Sequence, residues 1–238
     1  FYKRVMNILI PYINSTWAGT ELKYALRSIE KHVQFDRVFI IGDKPDWLCN
    51  VTHIPFKDNP NIESKERNIM QKILEACKTD ISQKFLFTND DIFFLKDIPN
   101  DYPAYYSGLL PYHKGDKLGA YKTSTNNTIN VLQENALTTM NFDIHRPCIY
   151  DKDFFPEVMS RYDWRKPYGY VIKSLYFNSI DAEIKQAGDL KISMQLPFHR
   201  LRKTVEGQDI FSIGDRAIGL PMKKLLDLYF SEPSKFEL

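Results

Sequence analysis

Apolar positions in the first hundred residues come in two alternating kinds, short continuous runs and stripes at helical spacing. Residues 8–13 form an apolar run that meets Pro11 and stops at Asn14, which predicts a buried first strand. Thr20 is placed to cap a helix, because Leu22, Ala25, Leu26 and Ile29 then recur on one face. Residues 37–42 predict a second strand with Asp43 at its end, and residues 51–56 a shorter third. Residues 63–77 predict a helix with Ile69, Ile73, Leu74 and Cys77 on one stripe, leaving Lys65, Arg67, Asn68 and Lys72 on other faces. A fourth strand over residues 84–88 delivers Asn89-Asp90-Asp91. This βαββαβ order with short connections predicts an α/β fold whose mostly parallel sheet is covered by helices on both faces.

The second half is less regular. Residues 99–130 are rich in Pro, Tyr, Gly, Asn and Thr, and residues 122–128 read as a mobile loop. Helices are expected over residues 132–139, 154–162, 170–180 and 222–229. Residues 227–238 are too aromatic for a disordered tail and are expected to dock on the rest of the chain. No linker divides the sequence, so one domain is expected over residues 6–238, with halves at 6–98 and 99–238. Met6 looks like a natural start, and residues 1–5 are set aside as an expression remnant.

Charge narrows the partners. Lys plus Arg number 32 against 30 Asp plus Glu, with no block of like charge, so nucleic acid is not an expected partner. Three separated cysteines, Cys49, Cys77 and Cys148, lack metal or redox spacing and suit a reducing, cytoplasmic setting. No apolar run reaches the roughly 20 residues of a membrane span, and a soluble chain is expected. Fourteen Tyr and 16 Phe suit a groove that stacks on bases or sugars as well as they suit a core.

The chemistry concentrates in Phe85-Leu86-Phe87-Thr88-Asn89-Asp90-Asp91-Ile92-Phe93-Phe94, where two carboxylates sit between apolar runs. At the carboxyl edge of a parallel sheet such carboxylates face the ligand crevice, where they suit Mg²⁺ or Mn²⁺. The plainer alternative is a strand ending in Asn-Asp turn chemistry.

Residues 21–31 (Glu-Leu-Lys-Tyr-Ala-Leu-Arg-Ser-Ile-Glu-Lys), 38–43 with Pro45, Trp47 and Leu48, and 85–95 resemble the GT-A glycosyltransferases. Within them they resemble the Stealth-like group of bacterial surface-polysaccharide synthesis, with an echo in Asp143-Ile144-His145-Arg146-Pro147. The resemblance implies a GT-A-like, Rossmann-like sheet with a nucleotide-sugar half and an irregular acceptor-binding half. It further implies transfer from a nucleotide-diphosphate sugar, uridine-linked, to an oligosaccharide or lipid-linked glycan, assisted by Mn²⁺ or Mg²⁺ at the inner face of a membrane. Stealth sugar-1-phosphate transferases open with an Asp-Val-Val-Tyr-Thr-Trp-Val-Asp type of strand, whereas this chain opens with Asn7-Ile-Leu-Ile-Pro-Tyr-Ile13. That departure favours glycosyl transfer over sugar-1-phosphate transfer, with a non-catalytic nucleotide- or glycan-binding domain as a third reading.

By the same resemblance Asp91 is the first choice of metal ligand, Asp90 faces the donor or the metal, and Asn89 shapes the turn. Asp43 would contact the nucleoside or simply close a turn, while Pro11 and Tyr12 would line the base pocket. Lys65 and Asn68 would reach ribose or phosphate, or cover a solvated helix face. Asp143 and His145 are candidates for the acceptor base; two residues apart, they share a face if the segment is extended, so that Asp143 could orient His145. His145 is alternatively a metal ligand or a structural hydrogen-bonder. Arg200 and Arg202 could clamp a diphosphate or be solvated. Asp215 or the closing residues 233–237 would complete the pocket.

Overall fold

The computed structural model describes residues 6–14, 17–61 and 64–238; the remnant expected at residues 1–5 and the helix start expected at Glu63 lie outside them. The first half runs β1 (Met6–Tyr12), α1 (Thr20–His32), β2 (Phe35–Gly42), β3 (Thr52–Pro55), α2 (Lys65–Ala76), β4 (Lys84–Phe87) and β5 (Ile92–Phe94). The second half runs β6 (Ala104–Tyr106), α3 (Ala120–Glu134), β7 (Cys148–Asp151), α4 (Phe154–Ser160), α5 (Ile172–Asn178), β8 (Ile184–Gln186), β9 (Lys191–Ile192), α6 (Phe198–Val205), β10 (Ile210–Ile213) and α7 (Leu220–Tyr229). The central sheet has the order β3-β2-β1-β4-β7; the first four strands are parallel and β7 is antiparallel to β4.

Burial on both faces explains why the strands read as continuous apolar runs. Ile8, Ile10 and Tyr12 of β1 point into a core with Leu22, Leu26 and Ile29 of α1. Leu9 points the other way, into a core with Met70 and Ile73 of α2 and with side chains of α3, α4 and α5. A third cluster joins α6, α7 and β10 to Tyr24 and Ala25. There β10 pairs antiparallel with β5, directly behind the Asn-Asp-Asp turn.

The second half departs from expectation at α3. Residues 122–128 are helical, because Ser124, Thr125 and Thr128 turn their hydroxyls onto the carbonyls of Ala120, Tyr121 and Ser124 at 3.1, 2.9 and 2.7 Å. Those three side chains are fully buried, and Asn126 and Asn127 reach the backbone of His113, Pro167 and Gly169. Tertiary contacts thus satisfy polar groups that in isolation favour a loop. The helix expected over residues 132–139 is only the end of α3, which stops as Ala136 takes a left-handed φ of 56°.

The chain's end docks, as expected, but away from the strand ends. Arg27 forms a two-pronged ion pair with Glu237 at 2.7 Å through both nitrogens, and Phe236 packs on Phe35. The tail therefore closes the back of α1, and completion of the crevice falls to Asp215.

Candidate active site

The four parallel strands of the central sheet end on one edge, and residues gathered there enclose two cavities. The smaller, about 280 Å³, is lined by Pro11 and Ile13 at the end of β1, Asp58 after β3, Lys65 and Lys72 of α2, Asn89-Asp90-Asp91 after β4, and Gly214 and Asp215 after β10. The larger, about 510 Å³, is lined by Glu66 of α2, Tyr121 of α3, Asp143 and His145, Lys173 of α5, and Asp189. Asn89 and Ile69 line both, so the acidic turn is the wall between them.

Asp90 and Asp91 enter opposite surroundings. The Asp91 carbonyl accepts the Ile213 N–H at 3.1 Å, and this bond holds the start of β5 against β10 and brings Asp215 beside the turn. Burial, with Asp91, Glu21 and Asp215 as the neighbouring negative charges, pushes the Asp90 carboxyl up to about 8. Glu21, in the first turn of α1, is buried with its Oε2 unpartnered, as is Asp91 Oδ1. Burial also raises Asp91, but there Lys191 and His145 oppose the shift. Lys191 Nζ stands 3.6 Å from Asp91 Oδ2 and 3.0 Å from His145 Nε2, and His145 Nδ1 is 2.8 Å from Asp189 Oδ2. The result is a chain, Asp91–Lys191–His145–Asp189, running from one cavity into the other. Burial works against the charge on Asp189, but its bonds from the His145 ring and backbone hold the carboxyl below its usual range.

The segment carrying His145 is fixed by α5. Asn178 bonds both backbone groups of Met140, Ser174 Oγ accepts the Phe142 N–H, and Lys173 Nζ donates to the carbonyls of Ile144 and Arg146 at 2.7 and 2.9 Å. Arg146 is anchored by a bidentate pair with Asp209. The segment is bent rather than extended, so Asp143 and His145 do not pair. Asp143 accepts from the Tyr121 hydroxyl at 2.8 Å and faces Glu66, whose carboxyl burial and Asp143 together push up to about 8. Asp189 takes the orienting role expected of Asp143, and both His145 ring nitrogens are engaged.

Other expected residues are redistributed. Pro11 and Lys65 line the smaller cavity, but the Tyr12 ring is buried against α1 because alternation along β1 turns it away from Pro11. Asp43 accepts the Asn14 N–H at 2.8 Å, which ties the exit of β1 to β2. Gly42 permits that approach, since at its φ of 125° a Cβ would lie 2.0 Å from the Tyr12 carbonyl oxygen. Asn68 is buried and clamps both backbone groups of Asn59, so it holds a loop instead of reaching into the cavity. Arg200 and Arg202 are exposed on α6 and line neither cavity. The cations at the site are instead Lys65, Lys72, Lys173 and Lys191. Lys72 is 2% exposed and pairs with Asp58 at 2.8 Å.

The donor chemistry suits a divalent cation, since Asp90, Asp91, Glu21 and Asp215 are hard oxygen ligands whose mutual repulsion a cation relieves. Among the described residues no group of three or more His, Cys, Asp or Glu is arranged to hold a metal by itself. Such ions commonly take one or two protein carboxylates and complete their shell with substrate phosphates and water.

Fold and site together define an α/β protein with carboxylate-lined twin cavities at the carboxyl edge of a mostly parallel sheet. No protein-family model matches the chain. It is 34% identical over 112 residues to the N-acetylglucosamine-1-phosphotransferase subunits alpha/beta of Mus musculus, covering 39% of this chain and 8% of that protein, with the same figures for the Homo sapiens protein. To the exopolysaccharide phosphotransferase CpsY of Mycobacterium leprae (strain TN) it is 34% identical over 84 residues, covering 31% of this chain and 15% of that one. The resemblance read from the motifs to the Stealth-like group is borne out by these relatives, whose names are those of phosphotransferases, the transfer that the opening strand argued against. The chain spans less than a fifth of the length of each of these curated relatives. The galactosyltransferase LgtC, solved with donor and acceptor sugar analogs, superposes over 97% of this chain and 98% of its own with a TM-score of 0.48 and 12% identity. No described helix is long and apolar enough to cross a membrane.

Proposed function

We propose that this chain is the catalytic core of a sugar-phosphate transferase that moves a sugar-1-phosphate from a nucleotide-diphosphate sugar, uridine-linked, to a hydroxyl of a surface-glycan acceptor. The observation that carries this reading is the Asp91–Lys191–His145–Asp189 chain joining the two cavities. The donor occupies the smaller cavity, with Lys65 near its phosphates, and the acceptor enters the larger one. Asp189 keeps Nδ1 of His145 protonated, which leaves Nε2 as the proton acceptor. Lys191 sits between Nε2 and Asp91, and an incoming diphosphate competes for that cation. The acceptor oxygen attacks the β-phosphorus as its proton passes to Nε2; the bond to the α-phosphate oxygen breaks, and nucleoside monophosphate departs. A divalent ion, Mn²⁺ or Mg²⁺, held by Asp90 and Asp91 with Glu21 and Asp215 beside them, would neutralise the charge on the diphosphate.

The relatives named above are phosphotransferases, which supports phosphoryl transfer. Of the residues by which β1 departs from the Stealth opening strand, Asn7 lies at the far end, bonded to Ser82, where it has no bearing on the reaction. Pro11 does line the donor cavity, and it keeps glycosyl transfer, with nucleoside diphosphate as leaving group, as the second reading. Product mass separates the two. With Mn²⁺ and a panel of nucleotide sugars, the acceptor is expected to gain a sugar phosphate; gain of a bare sugar selects glycosyl transfer. No product and no nucleotide release with any donor would overturn both.

A further inference from the structure

Resting on that sugar-transfer reading, we propose that the larger cavity admits a neutral or amine-bearing sugar as acceptor and rejects an anionic one. Its volume of about 510 Å³ falls within the range of small-molecule sites. Glu66, Asp143 and Asp189 reach it from three separate parts of the fold, while its lining holds one lysine, Lys173, whose ammonium is engaged by the carbonyls of Ile144 and Arg146. A second observation points to a ligand. Tyr150 is fully buried and lines the same cavity, and its hydroxyl has only the Cys148 thiol, a weak partner, beside it.

These groups define a chemistry. Asp143 accepts from Tyr121 through Oδ2 and retains capacity to accept from sugar hydroxyls or an ammonium. Glu66, held protonated near neutral pH by burial and by Asp143, can donate to a sugar oxygen. Ile69, Phe87 and Tyr150 offer an apolar wall for the carbon face of a pyranose ring. A uronate or sialate carboxylate would instead add a like charge beside Asp143 and Asp189, with no unengaged lysine or arginine among the described lining residues to meet it.

The test uses the full chain with methyl glycosides of a hexose, the matching 2-amino sugar and the matching hexuronic acid. Donor hydrolysis without acceptor, read as nucleotide release, reports the sugar-transfer reading by itself. Acceptor kcat/KM is expected to be at least about tenfold higher for the neutral and amino sugars than for the uronoside. In Asp143→Asn that ratio is expected to shrink toward unity, whereas Glu66→Gln, which exchanges one neutral group for another, is expected to leave it in place. Binding of the three glycosides followed by NMR gives the same ratio without turnover, so the pocket is tested even if no donor is used. A uronoside bound or used within about twofold of its neutral counterpart, or a ratio that Asp143→Asn does not move, overturns the proposal.

Discussion

Asp90 and Asp91 are neighbours in the chain and opposites in their surroundings. Asp90 faces Glu21 and Asp215, and its carboxyl is pushed up to about 8 by burial and by those negative charges. Asp91 meets Lys191, which leads on to His145 and Asp189. Both lie in the turn between β4 and β5 and line the smaller cavity, but different charged side chains flank them. On the proposed reading both carboxylates hold the cation, and Asp91 alone is also linked, through Lys191, to the imidazole that takes the acceptor's proton.

Substitutions at the turn should break the comparison hardest. Asp90→Asn and Asp91→Asn are each expected to lower transfer by about 10³-fold, measured as kcat/KM with saturating Mn²⁺. His145→Gln should cost about 10²–10⁴-fold. Asp189→Asn, which leaves the imidazole present but unoriented, should cost less, about 10–100-fold. Equal losses for His145 and Asp189 would show that they act as one inseparable unit.

The two sides also differ in how they couple to pH. Folded Asp90 holds its proton up to about 8, whereas the unfolded chain releases it near 3.8. The native state therefore binds more protons between those values, and stability falls as pH rises through that window. Glu66 adds to the same slope, from 4.5 to about 8. In chelator, Tm is expected to fall from pH 4 to 8, each ~1 kcal/mol lowering it by about 2–4 °C, and Asp90→Asn should flatten the curve. Mn²⁺ should restore Tm most at the alkaline end, and a Tm that rises with pH in chelator would contradict this account of Asp90.

The smallest effect on chemistry is expected at the far side of the sheet. Arg27→Ala removes the pair with Glu237, whose side chains are 14% and 9% exposed, and should cost about 1–3 kcal/mol of stability while leaving kcat intact. A loss of turnover at a temperature where the variant is folded would bring the tail into the site.

What the sequence made legible follows the range of the interactions involved. The strands β1 to β4 and the acidic turn were readable because burial on both faces writes itself as continuous apolar runs, and parallel order fixes which ends carry function. Asp215 was visible as an acid ending an apolar run but acquired its place only through the pairing of β10 with β5. Glu21 and Glu66 were hidden, since an acid in the first turn of a helix reads equally as a favourable dipole partner. The Asp189 partner of His145 lies 44 residues away, beyond any local pattern, which is why Asp143 looked like the orienting group. Arg200 and Arg202 misled for the converse reason: a basic cluster carries no address, and α6 turns it to solvent.

The most direct test of the central claim is nucleotide release by wild type, Asp90→Asn and Asp91→Asn, with a uridine-diphosphate sugar panel, in Mn²⁺ and in chelator. Wild type with Mn²⁺ is expected to release nucleoside monophosphate from at least one donor, slowly alone and faster with acceptor, both variants to lower that release by about 10³-fold, and the chelator to abolish it. Release undiminished in either variant, or none by wild type from any donor, would contradict the account.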